Sequence, residues 1–233
     1  DIGWPINTWK GYIAERLFID QADVNNSPVQ ELGSVPQPGD IKYKDINGDG
    51  RVNSDDQVHL GYPTVPEVTY GFGVSAGYKK FDISFFFQGQ ARVSFFIDPN
   101  GRRSNPDRFG IAPFAGRRGA LKIIADDHWN PNNPVSHAFW PRLSASLNQN
   151  NSVQNSTWWL RDGSFLRLKT LEVGYTLPEN WFGSIPFNMV RLYFTGQNLL
   201  TISGFKLWDP EMGGNGLAYP LQQVYNVGLN VTF

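Results

Sequence analysis

The sequence contains no cysteine, which excludes thiol catalysis, thiolate metal sites and disulfide bonds. Its charge is nearly balanced, with 20 Lys and Arg against 21 Asp and Glu, so no overall positive field attracts nucleic acid. No run of about 18 apolar residues is present, which excludes a membrane-spanning helix, and no signal segment follows Asp1. We therefore expect a sheet or a core to stabilise the fold, and an exported protein to begin upstream of Asp1.

Aromatic residues, in contrast, are abundant. They make up 15% of the chain, with 17 Phe, 9 Tyr and 8 Trp. Aromatic side chains favour strands over helices. The 24 Gly and 16 Pro are dispersed along the chain, as expected for turns that separate many strands. The composition thus predicts an all-β protein.

Apolar residues alternate with polar or small residues along five segments, all of them after residue 65. In the first segment Tyr70, Phe72 and Val74 alternate with Gly71 and Gly73. A period of two residues indicates a strand with one apolar face. The predicted strands cover about 68–79, 81–96, 165–178, 189–201 and 223–233.

The third predicted strand contains an irregularity. Leu166 and Leu168 have the opposite parity from Leu171 and Val173, so the alternation slips near Thr170. An extra residue in one strand of an antiparallel pair produces such a slip. We predict a β-bulge at this position.

The connections between the predicted strands alternate between short and long. The first two strands are joined by a tight turn, whereas residues 97–164 and 202–222 form long polar stretches rich in Pro and Asn. A soluble domain rarely holds an irregular loop of about seventy residues, but transmembrane barrels combine short periplasmic turns with long extracellular loops. We predict an antiparallel transmembrane β-barrel with 97–164 and 202–222 as outer loops. Five strands cannot close it, so more protein is required.

Four segments carry a family resemblance, and they are PGDIKYKDINGDGRVNSDDQVHLG (38–61), YGFGVSAGYKKFDISFFFQG (70–89), STWWLRDGSFLRLKTLEVGYTLP (156–178) and RLYFTGQNLLT (191–201). Together with the terminal Phe233, they resemble the C-terminal third or quarter of the SusC/RagA family of TonB-linked outer-membrane transporters. The resemblance extends from about Gly39 to Phe233. It places the predicted strands at the C-terminal end of a large barrel in the bacterial outer membrane.

The resemblance implies a barrel of about 22 strands with an N-terminal plug. It further implies energy from TonB and a SusD-like surface lipoprotein that captures oligosaccharide or peptide. This chain lacks the plug, the TonB-contacting segment and most of the strands, so we do not expect it to transport alone. The expected partners are the remaining barrel and plug, a SusD-like lipoprotein, TonB through the missing N-terminal part, an oligosaccharide or peptide substrate, and outer-membrane lipid, but no nucleic acid.

Residues 1–65 are predicted to be an extracellular loop region that includes a calcium-binding-like loop at 45–56. Oxygen ligands recur there at the spacing of an EF-hand loop, with Gly50 at the sharp turn. The predicted ligands are Asp45, Asn47, Asp49, Arg51 through its backbone carbonyl, Asn53 and Asp56. Asp56 is shorter than the usual Glu, and the alternative is a hydrogen-bonded turn that holds no ion. We expect Ca²⁺ to be structural.

The polar faces of the predicted strands would line the barrel lumen. This assigns Asp82, Gln88, Arg92, Arg191 and Gln197 as lumen-facing residues. In the long outer loop, Trp129, Trp140, Trp158 and Trp159 are candidates for contact with a ligand or a partner. The alternative for these tryptophans is the core of the loop or an aromatic girdle.

Two other functions share some of these features. A soluble, calcium-stabilised β-sandwich that binds carbohydrate would show the same alternation, aromatic residues and metal loop. A glycan-processing enzyme would need an acid and a base about 5 to 9 Å apart, and the sequence places no such pair. We predict that the chain is not an enzyme and contains no catalytic residue.

Overall fold

The computed structural model describes residues 2–97, 122–144, 148–181, 183, 188–214, 216 and 219–233. The strands in these ranges are β1 (Trp9–Gly11), β2 (Ala14–Leu17), β3 (Val29–Gln30), β4 (Ile41–Tyr43), β5 (Arg51–Val52), β6 (Val58–Leu60), β7 (Val68–Tyr78), β8 (Phe81–Ala91), β9 (Ser94–Phe96), β10 (Leu160–Asp162), β11 (Phe165–Thr176), β12 (Met189–Ser203) and β13 (Val224–Thr232). The helices are α1 (Gln21–Asn25), α2 (Lys122–Asp126) and α3 (Gln149–Ser152). Among the described residues, every helix is too short to cross a membrane.

The described residues form two compact units. The first, here called the loop unit, comprises Asp1–Val65, Ser94–Arg161 and Met212–Ala218. The second, here called the sheet unit, comprises Pro66–Val93, Asp162–Glu211 and Tyr219–Phe233. The predicted outer loop 97–164 lies mostly in the loop unit, and its residues 98–121 and 145–147 fall outside the described ranges.

The sheet unit is built on one antiparallel sheet. Its five strands, counted over the described residues, lie in the order β13, β12, β11, β8 and β7. Each strand pairs with the next in an antiparallel ladder. The all-β antiparallel fold predicted from the alternation is therefore confirmed, and within the described part of this unit there is no second sheet that would make a sandwich.

One face of this sheet is apolar and exposed. In the register of β7 with β8, Phe72 lies opposite Phe87 and Val74 opposite Phe85. The exposed fraction is 51% for Phe72 and reaches 82% for Val227 on β13. Water-soluble proteins rarely expose so continuous an apolar surface, whereas the outer surface of a membrane barrel carries one. The exposure therefore suits a lipid environment.

The predicted bulge is present in β11. Its register shifts between Leu168 and Thr170 against both neighbouring strands, β8 and β12. On β12 the residue Asn198 has a φ of 54°, in the left-handed region that Asn tolerates better than most residues. Because of the shift, Leu166 and Leu168 join the same apolar face as Leu171, so the bulge restores the pattern that the sequence appears to break.

The second predicted strand, 81–96, is wrong at its end. Strand β8 stops at Ala91, and Arg92 has a φ of 54°, which breaks the extended backbone. The next residues form β9, which pairs with β10 in a separate two-stranded sheet. The alternation of apolar residues continues across the break, so the sequence pattern alone does not reveal it.

The loop unit contains short strand pairs around an aromatic and aliphatic core. Strand β1 pairs with β6 and β2 with β4 in antiparallel ladders, whereas β3 and β5 are parallel. Residues 1–65 thus carry six strands that the sequence did not predict. The buried apolar residues include Tyr12, Leu17, Phe18, Ile41, Tyr43, Val52, Leu60, Ile97, Ile124, Trp129, Trp140 and Trp159.

Candidate functional site

The second face of the sheet is polar. Asp82 on β8 lies opposite Gly77 and Gly174, and Gln88 lies opposite Arg167. On β12, Arg191 and Gln197 have the parity that faces the same side. Four of the five residues predicted to face the lumen therefore share one face of the sheet, as the alternation requires.

Arg191 joins three strands across this polar face. Its Nη2 atom lies 2.5 Å from Asp82 Oδ2 on β8 and 2.6 Å from Glu172 Oε1 on β11, and its Nε lies 3.1 Å from Asp82 Oδ1. The cation also lies 5.3 Å from the centre of the Tyr193 ring. Two carboxylates and one guanidinium leave a net negative charge at this point of the face.

Gly174 provides the space for this arrangement. A Cβ at this position would lie 2.4 Å from Arg191 Nη2 and 2.5 Å from Asp82 Oδ1. We expect Gly174→Ala to displace the guanidinium and to destabilise the sheet by about 1 to 3 kcal/mol. The measurement is denaturant unfolding of the full-length receptor in detergent. The folded fraction is read from the difference in gel migration between unheated and heated samples.

Gly77 offers a matched control for this prediction. It lies on β7 opposite Asp82, and an added Cβ would meet its nearest neighbour, Phe81 O, at an ordinary 3.8 Å. Gly77→Ala is therefore expected to leave the unfolding midpoint nearly unchanged. Equal losses of stability in the two variants would contradict the role assigned to Gly174.

Arg92, the fifth predicted lumen residue, does not lie on a strand of the sheet. It follows the end of β8, and its side-chain Nε lies 2.5 Å from Glu67 Oε2. The alternation that assigned Arg92 to the lumen does not apply where the backbone leaves the extended conformation. That assignment is therefore corrected, and Arg92 is one half of an exposed ion pair.

Three of the four tryptophans predicted to contact a ligand or partner are buried. Trp129, Trp140 and Trp159 are between 1% and 6% exposed. The rings of Trp140 and Trp159 have their centres 5.7 Å apart, and Trp159 Nε1 donates to Asn151 O at 2.6 Å. The predicted ligand contact is wrong for these three residues, because their side chains form the core of the loop unit. Trp158 is half-buried and donates to Phe139 O at 3.1 Å.

A buried carboxylate, which the sequence did not indicate, organises the loop unit. Asp40 is fully buried, and its Oδ1 lies 2.6 Å from Arg142 Nε and accepts from Asn148 Nδ2 at 2.8 Å and Asn151 Nδ2 at 2.9 Å. Its Oδ2 accepts the Gln37 amide at 2.9 Å. These contacts join two segments that are about a hundred residues apart in the sequence. Only the Gly-Asp pair in the first quoted segment could have drawn attention to it.

The predicted calcium loop, 45–56, is closed by hydrogen bonds to its own backbone. Asp45 accepts the Gly48 amide at 2.7 Å and the Gly50 amide at 2.8 Å. Asn47 Oδ1 accepts the Asp49 amide at 2.9 Å. Both glycines have a positive φ, near 80°, which allows the tight turns.

Asp56, predicted as the last calcium ligand, is buried and caps the loop. Its Oδ1 accepts the Ile46 amide at 2.8 Å and the Asn47 amide at 3.4 Å, and its Oδ2 accepts the Asn53 amide at 2.8 Å. Burial alone would raise the pKa of this carboxyl, but the backbone N–H groups together hold its pKa below the ordinary value. The structure thus assigns Asp56 to backbone capping.

The remaining predicted ligands also have partners, within the loop or, for the Arg51 guanidinium, at Glu31 outside it. Asn53 Oδ1 accepts the Asp55 amide, Asp49 Oδ1 accepts the Arg51 amide, and the Arg51 guanidinium lies 2.7 Å from Glu31 Oε1. Over the described ranges, no three or more His, Cys, Asp or Glu side chains are grouped to hold a metal ion. Carboxylate and amide oxygens suit calcium chemically, so the calcium site stays a prediction that rests on ligand spacing.

Asp56→Ala is expected to destabilise the loop by about 2 to 3 kcal/mol, because three backbone N–H groups lose their buried acceptor. The measurement is hydrogen exchange of the amides of Ile46, Asn47 and Asn53 in the full-length receptor. Since the folded-state pKa of Asp56 is lowered, its contribution is present above the ordinary carboxyl pKa and is lost as pH falls through the lower value. Asp55→Ala removes a neighbouring exposed carboxylate and should leave the exchange rates unchanged.

Comparison with known proteins identifies proteins that are similar to this chain. No protein-family model matches the chain. TonB-dependent receptor P26 of Formosa agariphila is 35% identical across 98% of this chain, which spans 22% of that receptor. TonB-dependent receptor P3 of the same organism is 30% identical across 87% of the chain and 20% of the receptor. SusC of Bacteroides thetaiotaomicron is 24% identical across 96% of the chain and 20% of its own length.

Solved structures show the same fold. The structure of the RagAB peptide transporter matches 97% of this chain and 24% of its own chain, with a TM-score of 0.65 and 23% identity. The RagAB peptide importer in its open-open state matches with a TM-score of 0.61. The chain thus spans about a fifth to a quarter of the length of the proteins it matches.

An antiparallel sheet with one exposed apolar face and one polar face, and with these neighbours, defines an outer-membrane β-barrel protein. The chain is similar over nearly its whole length to TonB-dependent receptors, SusC among them, and the small share of each relative that it spans fits the C-terminal portion that the resemblance predicted. These relatives are receptors and not enzymes, which agrees with the prediction that the chain has no catalytic activity.

Proposed function

We propose that this chain is part of a transporter that imports oligosaccharides or peptides across the outer membrane together with a SusD-like surface lipoprotein. The sequence similarity to TonB-dependent receptors over nearly the whole chain carries the proposal. The solved RagAB structures are described as a peptide importer, which supports the peptide class, and the oligosaccharide class rests on the family resemblance of the sequence. TonB would act through protein outside this chain.

The two faces of the sheet support this function. In a membrane barrel the apolar face contacts lipid and the polar face lines the lumen. We infer that Asp82, Gln88, Arg191 and Gln197 line the passage through which a polar solute moves. Strands β7 and β13 each have one neighbour among the described strands, so their second edges are available to pair with the remaining barrel.

TonB dependence tests the proposal directly. The full-length receptor should take up a fluorescent oligosaccharide or a fluorescent peptide into its native cells, and deletion of TonB should abolish uptake while surface binding persists. A small hydrophilic dye that crosses the outer membrane by passive diffusion, without TonB, serves as the control. Uptake that is equal with and without TonB, for both classes of probe, would contradict the proposal.

A separate experiment tests the proposed partner and the proposed assembly. The full-length receptor purified in detergent from its native membrane should contain the remaining barrel, the plug and a surface lipoprotein, as identified by intact-mass measurement and denaturing gels. A protein that remains monomeric and folded without detergent would instead support the soluble carbohydrate-binding module.

We further propose that Ca²⁺ binds the 45–56 loop from the extracellular side and rigidifies it. The ligand types and their spacing support the proposal, although the backbone hydrogen bonds already close the loop. Equilibrium dialysis of the full-length receptor with ⁴⁵Ca²⁺ should show binding that Asp45→Asn with Asp49→Asn removes. Identical binding by the wild-type receptor and this variant would place any bound calcium elsewhere.

A further inference from the structure

The segment after β12 folds back onto the polar face of the sheet. Residues 204–211, here called the return segment, follow directly from the end of β12 at Ser203. Phe205 and Pro210 are buried, and the Phe205 amide donates to Ser203 Oγ at 3.2 Å. The Phe205 and Trp208 rings meet edge to face, with centres 5.0 Å apart. The sequence predicted residues 202–222 only as an outer loop, so this packing is a new feature.

A buried arginine fixes the return segment to the sheet. Arg167 on β11 is 1% exposed, and its Nη2 donates to both carboxylate oxygens of Asp209, at 2.6 and 2.8 Å. Its Nε lies 2.9 Å from Glu211 Oε2. Lys169, at the bulge, lies 3.2 Å from the same oxygen of Glu211. Two cations thus meet two carboxylates, and the cluster carries no net charge.

The ion pairs of Arg167 with Asp209 and Glu211, here called the clamp, are strong because Arg167 is buried. A buried cation that loses its carboxylate partners is left uncompensated, which is far less favourable than losing an exposed ion pair. Two different nitrogens of the guanidinium meet two different carboxylates, Nη2 with Asp209 and Nε with Glu211, which also fixes the direction of approach of the segment. The return segment is therefore held in one place on the sheet.

The polar face is divided into two parts as a result. Phe165 and Arg167, on the side of the bulge nearest the return segment, are buried. Thr170 and Gln197, on the other side of the bulge, are exposed on the same face. Thr201 lies opposite Arg167 on β12 and is only partly exposed. The return segment covers the face at Arg167 on β11, whereas Gln88, which lies opposite Arg167 on β8, and Gln197, beyond the bulge, stay exposed.

We propose that the return segment is a fixed wall inside the passage, held by Arg167, and that it limits the size of solute that can reach the polar face beside it. The inference rests on the proposed function for the identity of the lumen. Arg167 is then a positioning residue, because it acts through Asp209 and Glu211 and not through contact with solute. The remaining polar face, around Gln197, is the part left accessible.

Cysteine accessibility tests the wall, and the absence of native cysteine in this chain makes introduced thiols easy to assign. Thr201→Cys in the full-length receptor would report on the covered part beside Arg167, and Gln197→Cys, on the same strand and face, on an open part. With a maleimide carried on a long polyethylene glycol, Thr201→Cys should react slowly. Adding Asp209→Asn and Glu211→Gln should raise that rate by about tenfold or more, while the rate at Gln197→Cys stays within about twofold. An unchanged rate at Thr201→Cys would overturn the inference.

A second measurement keeps the test valid if the double variant fails to fold. Gln88 is exposed on the polar face and Lys206 is exposed on the return segment. Nitroxide labels at Gln88→Cys and Lys206→Cys, in an otherwise unchanged receptor, should give one narrow distance distribution by pulsed EPR. A broad distribution would overturn the inference. Neither readout requires transport, so a failure of TonB-dependent uptake would count against the proposed function alone.

Discussion

Asp40→Ala is expected to unfold much of the loop unit locally, with a loss of about 3 to 5 kcal/mol. The carboxylate is fully buried and joins Arg142, Asn148 and Asn151, so its removal leaves a guanidinium and two amides without their shared acceptor. The measurement is hydrogen exchange in the full-length receptor in lipid nanodiscs. Amides at 39–43 and 148–159 should lose protection together.

Two further variants separate charge from shape in this prediction. Asp40→Asn keeps the size and one acceptor oxygen but removes the charge that faces Arg142, so an intermediate loss is expected. Asp126→Ala removes an exposed carboxylate from the same unit and should leave protection unchanged. If Asp40→Ala behaves like Asp126→Ala, the buried carboxylate does not organise the unit.

Trp159→Ala should be about as destabilising, by about 3 to 5 kcal/mol, because it empties the largest fully buried side-chain volume of the loop unit. It also removes the donor to Asn151 O and the packing against the Trp140 ring. Hydrogen exchange at the amides of Ile97 and Trp159 would report the loss. A tryptophan that acted only in ligand contact would change binding and leave protection intact.

Trp158 is the matched control for this substitution. It is the adjacent residue, carries the same side chain and is half-buried, with one hydrogen bond to Phe139 O. Trp158→Ala is expected to lower protection by less than half as much as Trp159→Ala. Equal losses would show that burial does not distinguish the two positions.

The strands of the sheet unit could be predicted because each has one apolar and one polar face. The alternation from Tyr70 to Val74 and the slip near Thr170 are local patterns, and a period of two residues maps directly onto a pleated strand. The end of β8 could not be predicted in this way. Arg92 departs from the extended backbone while its neighbours keep the alternating composition.

The strands and the core of the loop unit could not be predicted from the periodicity of the sequence. Its strands are two to four residues long, too short to show a period, and Asp40 meets partners about a hundred residues away. Trp129, Trp140 and Trp159 lie in irregular backbone, where the sequence gives no sign of which side chains turn inward. A tryptophan in a loop is therefore equally consistent with a binding surface and with a buried core.

The candidate site was predicted in part for the same reason. Asp82, Gln88, Arg191 and Gln197 follow from strand parity, but the pairing of Arg191 with Glu172 and Asp82 depends on which strands are neighbours. The sequence also suggests that Asp56 binds a cation, because ligand spacing does not show whether an oxygen faces an ion or a backbone amide. The clamp at Arg167 depends on the path of the return segment, which no local pattern encodes.

The long insertion between β8 and β11 has a consequence for the order in which the protein folds. These two strands pair with each other although about seventy residues separate them, whereas the β7–β8 and β11–β12 ladders join strands that are close in sequence. Closing so long a loop from a disordered chain is slow and entropically unfavourable. The two ends of the insertion form the β9–β10 pair, so a folded insertion already holds its ends together. We expect the hairpins to form early and the β8–β11 ladder to await the insertion, which makes folding of this insertion a rate-limiting step in assembly of the sheet.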